Sequence, residues 1–102
     1  MKIVWRPGAA NDLETILQRR RAYSDASAER LGSAIKRHVS LLEDHAYLGR
    51  AVPEVEVEQI REIVESGFRI WYEVRTDSIE IFAVVHSRQD FRELANWNDP
   101  EN

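Results

Sequence analysis

A change of hydrophobic period near the middle of the chain constrains its fold more than any other feature. Up to about residue 50, apolar residues recur every three or four positions, as in helices that bury one stripe. After residue 58, three runs rich in β-branched and aromatic residues follow one another. A helical half followed by a sheet half is therefore predicted.

Two helices are predicted in the first half, after a β-like start at residues 2–5. The first runs from Gly8 to Ala22, because the fixed φ of Pro7 suits a first helical turn. The second follows a break at which Ser24 or Asp25 can cap its N-terminus. Its apolar stripe continues to Ala46, and it is expected to end where Gly49 offers a left-handed cap.

Three successive strands are predicted in the second half. They are Gln59–Glu65, Phe68–Arg75 and Ile79–His86, with two-residue turns at Ser66-Gly67 and Asp77-Ser78. The predicted fold is α+β with the order β–αα–βββ, in which a helical hairpin packs on an antiparallel sheet.

The sheet face opposite the helices is predicted to carry a bare apolar patch. Strict alternation places Ile81 and Ala83 toward the helices, and it places Trp71, Phe82 and Val84 on the opposite face. Because small domains rarely leave such a patch uncovered, a partner is expected to bind it. The isolated chain is accordingly expected to be poorly soluble or self-associating.

The chain is interpreted as one domain spanning residues 1–98, followed by a disordered tail at residues 99–102. The spacing of Phe91, Leu94 and Trp97 predicts a short terminal helix that packs back on the domain. The longest apolar run, Ile81–Val85, is far shorter than the ~20 residues of a membrane helix. With no N-terminal apolar segment of signal-peptide length either, a cytoplasmic protein without membrane association is expected.

Charge and composition narrow the classes of function. The net charge is −4 and cysteine is absent, which excludes disulfides and thiolate metal sites. Residues 1–50 carry nine basic and six acidic side chains, whereas residues 51–102 carry five basic and twelve acidic ones. An acidic chain is a poor candidate for nucleic-acid binding, so a protein partner is favoured. No histidine spacing matches a metal site, and no metal or cofactor is expected.

Four basic residues in or next to the strands leave two interpretations open: Arg61, Arg69, His86 and Arg88. If they converge, arginine to hold a phosphate and histidine to move a proton would suit RNA cleavage through the 2′-hydroxyl. The alternative, which the pattern favours, is a set of cross-strand ion pairs with acidic residues of the same strands, Glu62, Glu73 and Glu80.

Five segments in order resemble the ParE branch of the RelE/ParE toxin superfamily. Residues 5–13 resemble its opening pattern W-x-P-x-A-x-x-D-L, and Leu48-Gly49-Arg50 matches its L-G-R. Residues 60–64 and 67–74 are similar to its L-R-E-L-V and G-Y-R-I-x-Y-x-V. Residues 79–90 resemble its I-x-I-x-x-V-x-H-x-x-x-D ending. Each segment alone is weakly specific, but together they cover nearly the whole chain.

This resemblance implies the toxin of a type II toxin–antitoxin, or plasmid stabilisation, module. The implied partner is a ParD-like antitoxin whose disordered C-terminal segment folds across the toxin and forms a hetero-oligomer with it. The implied target is DNA gyrase, inhibited by binding rather than by catalysis. The expected antitoxin-binding residues are the patch and three arginines at its rim: Trp71, Phe82, Val84, Arg19, Arg20 and Arg61.

Two alternatives remain. RelE-like relatives cut mRNA on the ribosome, and here the nuclease residues would be Arg69, His86 and Arg88. The two functional lysines of those nucleases correspond to Ile60 and Glu62, and their late tyrosine falls near Leu94, so the nuclease set is incomplete. A noncatalytic adaptor that causes no growth arrest is the other alternative.

Overall fold

The computed structural model describes residues 1–94, which form a helical layer on one side of a five-stranded sheet. The elements in chain order are β1 (Lys2–Trp5), α1 (Pro7–Arg21), α2 (Asp25–Ser40), a 3-10 helix (Leu41–Glu43), β2 (Arg50–Ala51), β3 (Ile60–Glu65), β4 (Phe68–Val74), β5 (Ser78–His86) and a second 3-10 helix (Phe91–Glu93). The predicted domain end at residue 98, the tail at 99–102 and Trp97 lie outside the described residues.

The sheet has the strand order β1-β5-β4-β3-β2. The pairs β2–β3, β3–β4 and β4–β5 are antiparallel, whereas β1 pairs in parallel with β5. The predicted α+β fold is confirmed, but the sheet is mixed rather than antiparallel. The two helices follow β1 in the chain, and the next strand, β2, lies at the opposite edge of the sheet.

The helices begin where the sequence predicts, but the second ends earlier. Pro7 occupies the first turn of α1, and the Ser24 side chain caps α2 by accepting a hydrogen bond from the Ser27 amide. α2 ends at Ser40 and not near Gly49. The 3-10 helix that follows keeps Leu42 buried, so the apolar spacing continues although the α-helix does not.

The two predicted hairpins are present. Ser66 and Gly67 have φ values of 53° and 87°, which matches a tight turn whose central residues are left-handed. The second turn lies one residue earlier than predicted, at Thr76-Asp77, because the Arg75 amide bonds the Ser78 carbonyl at 2.8 Å.

A β-bulge in β5 changes which residues face the helices. Tyr72 of β4 lies opposite Ile81, whereas Trp71 lies opposite Ala83, so Phe82 is the additional residue. Beyond it, the alternation is reversed relative to the prediction. Val84 joins the core under the helices, while Ala83 joins Trp71 and Phe82 on the outer face.

The outer face has a core of its own, so the predicted bare patch is wrong. Trp71, Phe82 and Val84 are 0%, 1% and 3% exposed. Phe91, in the second 3-10 helix, contacts Trp71 in a tilted arrangement with ring centroids 4.8 Å apart, and it meets Phe82 edge-on with centroids 6.0 Å apart. The segment between β2 and β3 adds Val52 to the same cluster.

Neither α-helix among residues 1–94 is long and apolar enough to cross a membrane.

Candidate partner-binding groove

The outer face is organised around Arg69. Its Nε donates to Glu62 Oε1 at 2.6 Å, and its two terminal nitrogens donate to the Glu54 carboxylate at 2.8 and 2.9 Å. Glu54 also accepts the Phe91 amide at 2.8 Å, and these hydrogen bonds, chiefly those from Arg69, lower the pKa of Glu54 to about 2. All three nitrogens of the Arg69 guanidinium therefore donate to carboxylates of its own chain.

Glu62 holds this network together from inside the sheet. Its side chain is fully buried and accepts from Arg69, from the Arg50 guanidinium at 2.6 Å and from Trp71 Nε1 at 3.0 Å. The predicted cross-strand ion pairing is thus confirmed for Arg69. The other two acidic candidates, Glu73 and Glu80, pair instead with Arg6 and Arg75.

The nuclease residues do not converge on one face. Arg69 lies opposite Val85 and points to the outer face, whereas His86 lies opposite Phe68 on the helix side, where the two rings are 6.3 Å apart. His86 Nδ1 accepts the backbone amide of Arg88 at 3.1 Å. The arginine that would hold a phosphate and the histidine that would move a proton are separated by the sheet.

A groove lies between α1 and the C-terminal end of β5. It has a volume of about 560 Å³, with an apolar floor and a basic wall from the end of α1. The lining residues are Asp12, Thr15, Ile16, Arg19, Arg20, Tyr23, Phe68, Val84, Val85, His86, Gln89 and Leu94.

The groove exists because β1 is shorter than β5. The parallel pairing ends at Trp5 and Ile81, after which the chain turns into α1 and leaves the edge of β5 without a neighbouring strand. The Val84 amide on this edge donates to the Asp12 carboxylate at 3.0 Å. Burial raises the pKa of Asp12, although this hydrogen bond opposes the rise.

The last turn of α1 carries three arginines, Arg19, Arg20 and Arg21, which do not share one environment. Arg19 and Arg20 line the groove, whereas Arg21 pairs with Glu14 at 2.9 Å. Arg20 donates to Ser27 Oγ at 3.3 Å, while Arg19 is exposed and makes no hydrogen bond or ion pair within residues 1–94. Tyr23, 91% exposed, stands beside them at the rim.

Arg61, predicted with the other two arginines, lies elsewhere. Its guanidinium donates to the Gly49 carbonyl at 3.0 Å and stacks over the Tyr47 ring at 5.1 Å. It therefore fixes the segment that precedes β2 and is not part of the groove.

Sequence reasoning missed the structural roles of Asp12, Glu54 and Gly49. Gly49 has no left-handed φ and is not a helix cap. Its amide donates to Tyr72 Oη at 2.9 Å, and an added Cβ would lie 2.7 Å from that oxygen and overlap the Glu62 carbonyl. Each role depends on a distant contact, so the only signal in the sequence was the place of Asp12 and Gly49 in the family-like segments, and Glu54 lies outside those segments.

Comparisons with known proteins agree with this architecture. The family model described as the ParE toxin of the type II toxin–antitoxin system parDE matches residues 3–91. A solved structure titled as the chromosomal ParDE TA system from P. aeruginosa is similar with a TM-score of 0.71 and 24% identity. The match covers 84% of this chain and 95% of that one, and at this identity it shows the fold alone. The search of curated proteins gave no match. Because the family model spans most of its length, the chain belongs to the ParE toxins of type II toxin–antitoxin systems.

Proposed function

We propose that this toxin is neutralised by a ParD-like antitoxin and that, when free, it inhibits DNA gyrase by binding. The observation that carries the proposal is the family match over residues 3–91. It is supported by the similar fold of a chromosomal ParDE TA system from P. aeruginosa.

The geometry favours a binding inhibitor over a nuclease. The Arg69 guanidinium is saturated by Glu54 and Glu62, so a phosphate would have to displace two carboxylates from a largely buried site. His86 faces the opposite side of the sheet. In addition, Ile60 and Glu62 occupy the positions of the two nuclease lysines.

The α1–β5 groove is the proposed antitoxin site. Trp71, Phe82 and Val84 are already covered within the chain, so they cannot serve as exposed anchors. The groove instead combines an apolar floor, which includes Ile16 and Phe68, with the guanidinium groups of Arg19 and Arg20. An antitoxin segment with apolar side chains and nearby carboxylates is complementary to it.

Induced expression in cells separates the two candidate targets. The proposal expects growth arrest with mRNA that remains intact by primer extension, and relief of the arrest by co-expressed antitoxin. Specific mRNA cuts would support the nuclease instead, and normal growth without antitoxin would support the adaptor.

A further inference from the structure

The two edge strands of the sheet differ in how well they are protected from pairing with another chain. β2, at one edge, has only two residues, one of them the exposed Arg50, and Pro53 follows soon after. β1, at the other edge, carries Ile3, Val4 and Trp5 in succession, in regular register with β5. Short length, charge, proline and bulges are the features that keep sheet edges from pairing with other chains. None of them protects β1 between residues 3 and 5.

The backbone of β1 directs donors and acceptors away from the sheet at two residues. The Arg6 amide donates to the Ile81 carbonyl of β5 at 2.9 Å, and Trp5 lies opposite Ile81. Because successive residues of a strand direct their amide and carbonyl groups to opposite sides, those of Val4 and Arg6 face β5. The groups of Ile3 and Trp5 therefore face the other side, on which no strand in the described part of the chain pairs with β1.

This edge is complementary to a second copy of itself. If two β1 strands lie antiparallel about a two-fold axis at Val4, Ile3 of each copy lies opposite Trp5 of the other. Both residues of such a pair direct their backbone groups at each other, so each pair exchanges both of its possible N–H···O hydrogen bonds. The pairing also closes on itself, because each copy uses its single β1 edge.

The side chains beside this edge suit the same pairing. Ile3 and Trp5 pack against the core under the helices but remain partly exposed in shallow hollows next to α2. Lys36 and Glu43 line one of these hollows, and neither side chain forms an ion pair within the described residues. A two-fold axis perpendicular to the sheet keeps both helical layers on the same side. Apolar side chains then meet across the dimer interface, and Lys36 of one copy is complementary in charge to Glu43 of the other.

We propose that the free chain forms a symmetric dimer through its β1 edges, in which β1 pairs antiparallel with β1 of a second copy and Val4 lies at the two-fold axis. The two sheets then join into one continuous sheet. This proposal does not rest on the proposed function, since neither the antitoxin nor gyrase takes part in the contact.

Disulfide formation tests the register of the proposed dimer, because the natural chain has no cysteine. Val4→Cys places two thiols at the axis, where the Cα atoms of a non-hydrogen-bonded antiparallel pair are about 4.5 Å apart, within the range that a disulfide spans. Val57→Cys is the matched control, since Val57 is an exposed valine between β2 and β3. Under mild oxidation, Val4→Cys is expected to form covalent dimers at least about tenfold faster than Val57→Cys, because the dimer holds its thiols together.

Sedimentation velocity of the antitoxin-free natural chain, from about 1 to about 100 µM, measures the noncovalent dimer. The dimer fraction is expected to rise with concentration. Val4→Lys should weaken the dimer about fivefold or more, because two ammonium groups then meet at the axis. Circular dichroism checks that each variant folds, and the cysteine pair decides the question if Val4→Lys does not.

A natural chain that stays monomeric over the whole concentration range would overturn the proposal. Equal oxidation rates of the two cysteine variants would overturn it as well, because any dimer contact would then lie elsewhere on the surface.

Discussion

At the scale of single residues, Glu62 is the group on which the outer face depends. It is buried in the sheet and accepts hydrogen bonds from Arg50, Arg69 and Trp71. Removing one partner of a buried ion pair leaves the remaining charges uncompensated, which costs far more than breaking a pair in water. The stability of the outer face is therefore expected to depend on the charge of Glu62, even when a substitution leaves its side-chain volume almost unchanged.

Glu62→Gln is expected to lower the free energy of unfolding by about 3 kcal/mol, because Arg69 loses a buried counter-charge and the new amide opposes its donors. Glu14→Gln is the control, since Glu14 forms an exposed pair with Arg21 and should cost less than about 1 kcal/mol. Urea unfolding measures both variants. Similar losses in the two would contradict the role assigned to Glu62.

The lowered pKa of Glu54 predicts how the stability of the fold depends on pH. Its pKa is about 2 in the folded chain against an ordinary value of 4.5, so its contribution is complete above pH 4.5 and is lost as the pH falls toward 2. Thermal melting of Glu54→Gln from pH 6 to pH 2 should therefore show a shallower fall than the natural chain.

Asp90 provides the control for the dependence of thermal melting on pH. Its pKa is also about 2, but its partner Arg92 is two residues away and exposed, so the pair can persist in the unfolded chain. Asp90→Asn should flatten the profile less than Glu54→Gln does. A larger effect of Asp90→Asn would place the acid sensitivity outside the Arg69 network.

At the scale of elements, the residue types of the strands and turns predicted β3, β4 and β5 to within one residue at each end. Ser66-Gly67 supplies the left-handed turn residues, and the β-branched and aromatic runs on either side are unambiguous. The bulge could not be predicted, because residues 81–85 are all apolar and a period of two carries no information when both faces are buried. Its position depends on the pairing with β4 and on the covering of Phe82 by Phe91.

The short strand β2 is positioned by the close approach of Gly49 to β3 and β4. Gly49→Ala is expected to destabilise the fold by about 2 kcal/mol, because the added methyl group meets the Glu62 carbonyl and the Tyr72 hydroxyl.

Gly32→Ala in α2 is the matched control. Its Cβ would contact only Leu17 at 3.4 Å, so helix propensity should make it neutral or stabilising by up to about 1 kcal/mol. Chemical unfolding of both variants tests the difference, and equal effects would contradict the close packing at Gly49.

At the scale of the whole molecule, Arg19 and Arg20 line the α1–β5 groove, whereas the sequence associated them with Trp71, Phe82 and Val84, which are buried. Helix periodicity and charge identify a basic helix end without reference to the rest of the fold. The groove itself arises from the difference in length between β1 and β5, a long-range property that no local pattern encodes.

The proposed antitoxin site predicts that charge in the groove controls affinity. Combining Arg19→Glu with Arg20→Glu should weaken antitoxin binding at least about tenfold, because like charges then face the carboxylates of the partner. Arg61→Glu, outside the groove, is the control. Titration of the antitoxin C-terminal peptide measures all variants. Wild-type affinity in the double variant would exclude the groove as the site.

A supercoiling assay shows whether this toxin inhibits gyrase by binding, as we propose. Purified gyrase, relaxed plasmid and ATP are combined with increasing amounts of the free chain, and then with the chain saturated by its antitoxin. The free chain is expected to block supercoiling in proportion to its concentration, and the antitoxin is expected to restore supercoiling. Unchanged supercoiling at micromolar concentrations of folded, antitoxin-free chain would exclude gyrase as the target.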